Sequence, residues 1–174
     1  MSVKKDGQLE ICNFVMQVAA KERLIEFKRQ ILSQQKDFEP YVAFKRITRK
    51  SNPHGITGEC IKQFFIQNNE TVDSGDITRL LAHNVTDDPE AIHYKDFLNL
   101  VLPKDHSDLR AYVSQKDPFD IEENSALSPD TEACLCKLLL KEMSIYKDLH
   151  QEYTNLLNLG LDTREVIAYV DAEN

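Results

Sequence analysis

The residues whose chemistry is easiest to interpret are four carboxylates close together in the chain. Asp87, Asp88, Glu90 and Asp96 fall within a stretch of ten residues. Carboxylate oxygens are ligands that Ca²⁺ prefers, so this stretch could hold a calcium ion. Pro89 and the lack of a glycine oppose the tight turn that such a site needs. The sequence therefore favours a solvated acidic loop, with a weak calcium site at these four residues as the alternative.

Other residue types that commonly do chemistry show no productive spacing. Cys134 and Cys136 are two residues apart on a predicted helix, so their thiols point to different faces. The five histidines have no spacing that makes a metal site on a helix. The sequence contains no phosphate-binding glycine loop, nucleophile elbow or zinc-protease helix. We therefore expect a non-catalytic protein without a cofactor.

Composition and charge narrow the class of protein further. The 174 residues carry a formal net charge of −8, which argues against a nucleic-acid binder. Residues 1–68 hold 12 Lys and Arg against 7 Asp and Glu, whereas residues 69–174 hold 9 against 22. This asymmetry suggests an oriented contact with a charged partner. We find no signal peptide and no apolar stretch of membrane-spanning length, so we expect a cytoplasmic protein with reduced cysteines and no membrane contact.

Hydrophobic spacing of three and four residues predicts an all-α fold. A long helix is expected over residues 8–35, with an apolar stripe that includes Leu24, Phe27 and Ile31. Residues 37–104 then form a helix–loop–helix unit twice, since Ile56 and Ile92 hold equivalent places 36 residues apart.

The remaining residues predict a short helix, a linker and a second long helix. Residues 105–127 contain the short helix and an acidic linker. Ser128 and Pro129 then start a long helix that reaches about residue 158, and a last short helix follows over residues 163–170. The expected segments are therefore 1–36, 37–104, 105–127 and 128–174.

The repeated unit resembles the paired EF-hands of the calmodulin superfamily. The resemblance is carried by Pro40–Ile47, Gly55–Glu59, Phe64–Phe65, Leu80–Leu81 and Ile92–Phe97. It implies two helix–loop–helix units that bury each other's apolar faces. It also implies a short β-bridge in which Ile56 pairs with Ile92.

The loops depart from the calcium-binding pattern of that family. The family loop has acidic or carbonyl oxygens at alternate positions, Gly at position six and Glu at position twelve. With Ile56 at position eight, loop one runs from Arg49 to Cys60 and offers no carboxylate ligand. With Ile92 at position eight, loop two places Glu90 where Gly belongs and the shorter Asp96 at position twelve. The helix-pair fold is therefore expected without the calcium function.

Over nearly the whole chain, the pattern is similar to that of small EF-hand proteins of ciliated and flagellated protists. This resemblance rests on Phe97–Pro103, Leu109–Arg110, Leu156–Leu157 and Ile167–Asp171. It implies a structural protein docked in a larger cytoskeletal assembly, above all the microtubule-based ciliary axoneme. The alternatives are a calcium-responsive regulator that uses loop two and a cytosolic adaptor that binds one target helix.

Two further surfaces are candidates for partner contact, beside the apolar face of helix 8–35. Lys45, Arg46, Arg49 and Lys50 lie on adjacent turns of a predicted helix. As one basic patch they could meet the acidic tails of a filament such as tubulin, or they could form a solvated helix face. The other surface is a seam of the long C-terminal helix that packs in the core or against a partner. Its members are Leu139, Met143, Tyr146, Tyr153 and Leu157.

Overall fold

The computed structural model describes residues 5–49 and 54–160 of the chain. Within these ranges the chain is mostly helical, with seven α-helices and one two-stranded antiparallel sheet, so the predicted all-α class is confirmed. The predicted helix over residues 163–170 lies outside the described residues. None of the described helices has both the length and the apolar character that crossing a membrane requires. In chain order the elements are α1 (Lys5–Ser33), α2 (Pro40–Thr48), β1 (Ile56–Thr57), α3 (Gly58–Gln67), α4 (Ser74–Asn84), β2 (Ala91–Ile92), α5 (Tyr94–Val101), α6 (Ser107–Ser114) and α7 (Pro129–Asn158).

The chain divides into two compact units. The first contains Met1–Leu24 and Ile145–Asn174, and the second contains Ile25–Ser144. Helices α1 and α7 therefore each contribute residues to both units. The segment boundaries expected at residues 36, 104 and 127 fall between helices, whereas the division into two units cuts the two long helices along their length.

In the first unit, the early part of α1 packs against the late part of α7. Ile11 and Leu156 are buried together, and Phe14 and Val15 pack against them. At the side of this contact, Nζ of Lys21 lies 3.7 Å from a carboxylate oxygen of Asp148. The three- and four-residue spacing that predicted α1 thus supplies this small core.

The second unit is built around two helix–strand–helix units, α2–β1–α3 and α4–β2–α5. Strands β1 and β2 pair antiparallel, with Ile56 opposite Ile92 and Thr57 opposite Ala91. A side chain at Gly55 would place its Cβ only 2.9 Å from the Cβ of Ala91. Glycine at this position therefore allows the two loops to approach closely.

Side-chain caps fix the starts of the helices in these two units. The Glu39 carboxylate accepts a 2.8 Å hydrogen bond from the backbone N–H of Val42, and Pro40 occupies the first turn of α2. The Thr57 hydroxyl caps α3 by accepting from the N–H of Cys60. Asp73 caps α4 through the N–H of Gly75. Each cap satisfies a backbone donor that the helix itself cannot satisfy, so the loops end at defined residues.

The core of the second unit is apolar and receives side chains from α7. Its largest fully buried members are phenylalanines of α3, of α5 and of the segment before α2, together with leucines of α7. They include Phe38, Phe64, Phe65, Phe97, Leu135 and Leu138. The first half of α7 is therefore part of this core.

The buried side of α1 differs from the predicted apolar stripe. Leu24 and Phe27, which the sequence places on the apolar stripe proposed for partner contact, are 49% and 63% exposed. The buried positions instead include Ile25, Glu26 and Arg29. Glu26 and Arg29 are charged, so the spacing of apolar residues does not identify them as buried.

Two buried arginines connect α7 to the rest of the second unit. Nε of Arg29 donates to the carbonyl of Leu100 at 2.9 Å, and its Nη2 donates to Glu142 at 3.1 Å. Nε of Arg46 donates to Glu132 at 2.8 Å. Both guanidinium groups are almost fully buried. Because a buried charge is costly without its partner, these pairs fix where α7 lies.

We predict that Glu132→Ala lowers the free energy of unfolding by about 3–5 kcal/mol, because it leaves the Arg46 cation buried without its carboxylate. The measurement is urea unfolding followed by circular dichroism. Arg79→Ala is the matched control, since it breaks the partly exposed pair of Arg79 with Asp76 and should cost about 1 kcal/mol or less. Equal losses in the two variants would contradict the assignment of Arg46 as a buried, paired cation.

Candidate functional site

The candidate site is the pair of loops joined by β1 and β2, together with the groove that their helices enclose. Loop one is residues 49–60 and loop two is residues 85–96. Ile56 and Ile92, the predicted pairing residues, are both buried where the two loops meet. The site is therefore a closed pair of loops held by an apolar contact.

Loop one begins with a cation that is used inside the chain. Arg49 has a φ of 51°, and its Nη1 donates to the backbone carbonyls of Glu123 and Ser125. At the other end of the loop, the buried Sγ of Cys60 accepts from the Thr57 hydroxyl at 3.2 Å. Residues 50–53 of this loop lie outside the described residues. The described part of loop one thus presents a guanidinium and a thiol where the calcium-binding pattern has carboxylates.

Loop two is closed by a hydrogen bond between its own side chains. The hydroxyl of Thr86 lies 3.1 and 3.2 Å from the two carboxylate oxygens of Asp96, and the N–H of Thr86 donates to Asp96 at 3.3 Å. Asp96 is only 5% exposed. The carboxylate at position twelve, which binds the ion in a calcium loop, is here turned to Thr86.

The other acidic residues of loop two do not join Asp96. One oxygen of Asp88 accepts from the N–H of Glu90 at 2.9 Å, and the other lies 3.4 Å from Nε2 of His93. The structure therefore does not bring Asp87, Asp88, Glu90 and Asp96 together, since Asp96 turns inward while Asp88 closes a local turn. Among residues 5–49 and 54–160, no group of three His, Cys, Asp or Glu is arranged to hold a metal ion.

The groove between the two helix–strand–helix units is filled by α7. Leu139 lies with side chains from all six elements of these units around a residual cavity of about 10 Å³. Those side chains are Ile47, Ile56, Ile61, Leu80, Ile92, Phe97 and Leu100. An apolar groove between helices is a common binding site for a target helix, and here the chain's own α7 occupies that volume.

The predicted basic patch does not form one exposed surface. Lys45 is exposed, but Arg46 is 2% exposed and paired with Glu132. Arg49 is partly buried and tied to residues 123–125, and Lys50 lies outside the described residues. The expectation of one patch is wrong for Arg46, because its partner lies on a distant helix that local spacing cannot identify.

The side chains of the predicted seam on the C-terminal helix differ in burial along the helix. Leu139 and Met143 are buried in the second unit. In the first unit, Tyr146 and Tyr153 are partly buried and Leu157 is 39% exposed. The first part of the seam is therefore internal core and is not open to a partner.

Sequence reasoning missed three residues that shape this site: Thr86, Arg29 and Glu142. The sequence does not identify Thr86 as a partner of Asp96, because a hydroxyl ten residues before a carboxylate is common. Arg29 did give one, since it lies four residues after Ile25 and three before Leu32, in the middle of a buried stripe. A charged residue at such a position predicts a buried ion pair.

The cysteines of α7 are packed side chains in the structure. Burial, together with the nearby carboxylates of Glu132 and Glu70, raises the pKa of the Cys136 thiol to about 12. Burial also raises the pKa of Cys134. Both thiols are therefore neutral at physiological pH, whereas a metal ligand or a nucleophile needs the thiolate.

We predict that Thr86→Val destabilises the fold by about 1–3 kcal/mol, because the buried Asp96 carboxylate loses a hydroxyl donor without losing volume around it. Thr86→Ser keeps the hydroxyl and is the matched control, with a change below about 1 kcal/mol. Chemical denaturation measures both. If Val and Ser were tolerated equally, loop two would not depend on this hydrogen bond.

We predict that calorimetric titration with Ca²⁺ gives no saturable heat at micromolar concentrations, because the position-twelve carboxylate already has its partner in Thr86. Asp96→Ala should give the same flat titration. A saturable heat in the unmodified chain that Asp96→Ala abolishes would falsify this view and would support the calcium-responsive alternative.

No protein-family model, curated protein or solved structure matches the chain.

Proposed function

We propose that this chain is a non-catalytic structural protein with a degenerate EF-hand-like pair, which docks in a larger protein assembly without calcium regulation. The observation that carries the proposal is the hydrogen bonding of Asp96 to Thr86 inside loop two. A calcium loop must present that carboxylate to the ion, and here it holds the loop shut. The paired loops therefore serve as a fixed part of the architecture.

The occupied groove favours a structural role over a target-helix adaptor. A target helix would have to displace α7, which means removing Leu139 from the groove and separating Arg46 from Glu132. Breaking such a buried pair costs about 3–5 kcal/mol before any new contact forms. The adaptor alternative thus has a barrier in this fold that an open EF-hand pair lacks.

The first unit supplies an apolar surface for docking. Leu9 and Met16 are 61% and 69% exposed on α1. They are seven residues apart, so they share one side of the helix, opposite the buried Ile11. Exposed large apolar side chains aligned along a helix are typical of a helix that packs against another protein.

The resemblance to small EF-hand proteins of protist cilia supplies the setting. We infer that the partners are proteins of a cytoskeletal assembly, with tubulin or other axonemal proteins of the cilium as the candidates. In this setting a protein that keeps one shape at all calcium levels is useful as a fixed connector.

We predict that Met16→Glu releases the protein from isolated cilia during a salt wash. The reason is that burying an unpaired carboxylate in an apolar contact costs more free energy than the contact gains. The measurement is the fraction of tagged protein that sediments with axonemes after detergent and salt extraction. The unmodified chain should stay with the axonemes.

Gln17→Glu is the matched control, since it adds the same charge at the neighbouring exposed position. It should leave sedimentation unchanged. Complete release of the unmodified chain by mild detergent would contradict the axonemal setting. Equal retention of the Met16 and Gln17 variants would exclude this side of α1 as the docking surface.

A further inference from the structure

A cavity of about 610 Å³ lies in the second unit, at the surface beside the paired loops. Its volume is within the range of pockets that bind small molecules or single side chains, roughly 300–1,000 Å³. Loop pairing and the α7 groove do not use this space. It is therefore a separate candidate site.

Aromatic rings of α2 and α5 line one side of the cavity. Tyr41 and Tyr94 are 5.4 Å apart between ring centroids and nearly perpendicular, and Phe44 contacts Tyr94 at the same distance. Phe44 also packs against the buried Phe97, which joins these rings to the core. The rings are thus held in place before any ligand arrives, and another ring could extend their edge-to-face series.

The opposite wall is a non-helical segment that is fastened at both ends. Nζ of Lys116 donates to the backbone carbonyls of Gln35 and Phe38 at 3.1 and 2.8 Å. At the far end, Arg49 donates to the carbonyls of Glu123 and Ser125. Between these anchors, Ile121 and Glu122 line the cavity. A wall fixed in this way loses little conformational entropy when a ligand binds.

The formal charges of the Lys, Arg and Glu side chains around the cavity balance. Lys45 and Arg49 contribute two formal positive charges, and Glu122 and Glu123 contribute two negative charges. A strongly anionic or cationic ligand would meet repulsion from one of these pairs. The polar groups can instead hydrogen-bond to the edge of a neutral ring.

We propose that this cavity binds the tryptophan or tyrosine side chain of a partner polypeptide. Such a side chain has an uncharged ring for the aromatic wall and one N–H or O–H for the polar rim. Tyr41 and His54 are exposed at the cavity, so a chain lying on the surface can insert one side chain from outside. This inference does not rest on the axonemal setting or on the state of the calcium loops.

The chain contains no tryptophan, so indole fluorescence reports on an added probe alone. We expect N-acetyltryptophanamide to bind with a dissociation constant on the order of 1 mM and a blue-shifted emission, as a fragment of this size in an apolar site should. Tyr41→Ala should weaken binding about fivefold, because one aromatic pair is lost. Phe27→Ala removes an equally aromatic but exposed side chain outside the cavity and should change nothing.

Ile121→Arg is the second variant, since residue 121 lies outside every helix and strand and its change puts a charge in the cavity without opening the core. It should abolish the saturable blue shift while the circular dichroism spectrum is kept. Absence of saturation with the unmodified chain, or an equal effect of Phe27→Ala, would overturn the proposal. Free tryptophan should bind more weakly than the blocked amide. Tighter binding of the free amino acid would overturn the assignment to a polypeptide.

Discussion

The rest of the second unit depends on one apolar groove that must be covered. Two paired helix–strand–helix units enclose it, and left open it would expose the side chains of Ile61, Leu80 and Phe97 to water. The first half of α7 covers it with leucines, and each fully buried leucine contributes roughly 1.5–3 kcal/mol. Apolar burial of this kind does not by itself choose one position for a helix that could slide by a turn. The pair of Arg46 with Glu132 and the pair of Arg29 with Glu142 make that choice, because a shift of one turn would separate both buried arginines from their carboxylates on α7.

The paired loops are held in shape by hydrogen bonds of their own side chains. In a calcium loop the ion offsets the repulsion between carboxylates and draws the chain around itself. In loop two the Thr86 hydroxyl satisfies the single inward-facing carboxylate, Asp96, and Asp88 is turned to a local N–H. In loop one Arg49 fastens the neighbouring segment through its carbonyls. The buried pair of Ile56 and Ile92 joins the two loops at the strand pairing.

The sequence predicted those features whose interacting residues lie close together in the chain. The three- and four-residue period placed α1 and α7 within a few residues of their ends, and the 36-residue repeat matched Ile56 with Ile92, because these signals lie within one element or one repeated unit. The burial of Arg46 and its pairing with Glu132 could not be predicted in this way. Its spacing is that of an exposed basic residue, and its partner Glu132 lies 86 residues further along the chain. Leu24 and Phe27 lie on the predicted apolar stripe and are exposed, since α1 has apolar residues on more than one side and periodicity does not say which side is covered.

The internal use of the groove and of the arginines determines where recognition of other proteins can occur. A groove that holds Leu139 is not available to a target helix, and guanidinium groups bonded to Glu132 or to backbone carbonyls are not available to an acidic filament. Under the proposed role, docking therefore falls to side chains that the fold leaves uncovered, such as Leu9 and Met16 in the first unit. The aromatic cavity of the second unit fits the same logic, because its rings are fixed by Phe97 below while its rim is open. Under the proposed role, partners are recognised by the outer surfaces of the domain, because the groove between the two helix–strand–helix units is part of its core.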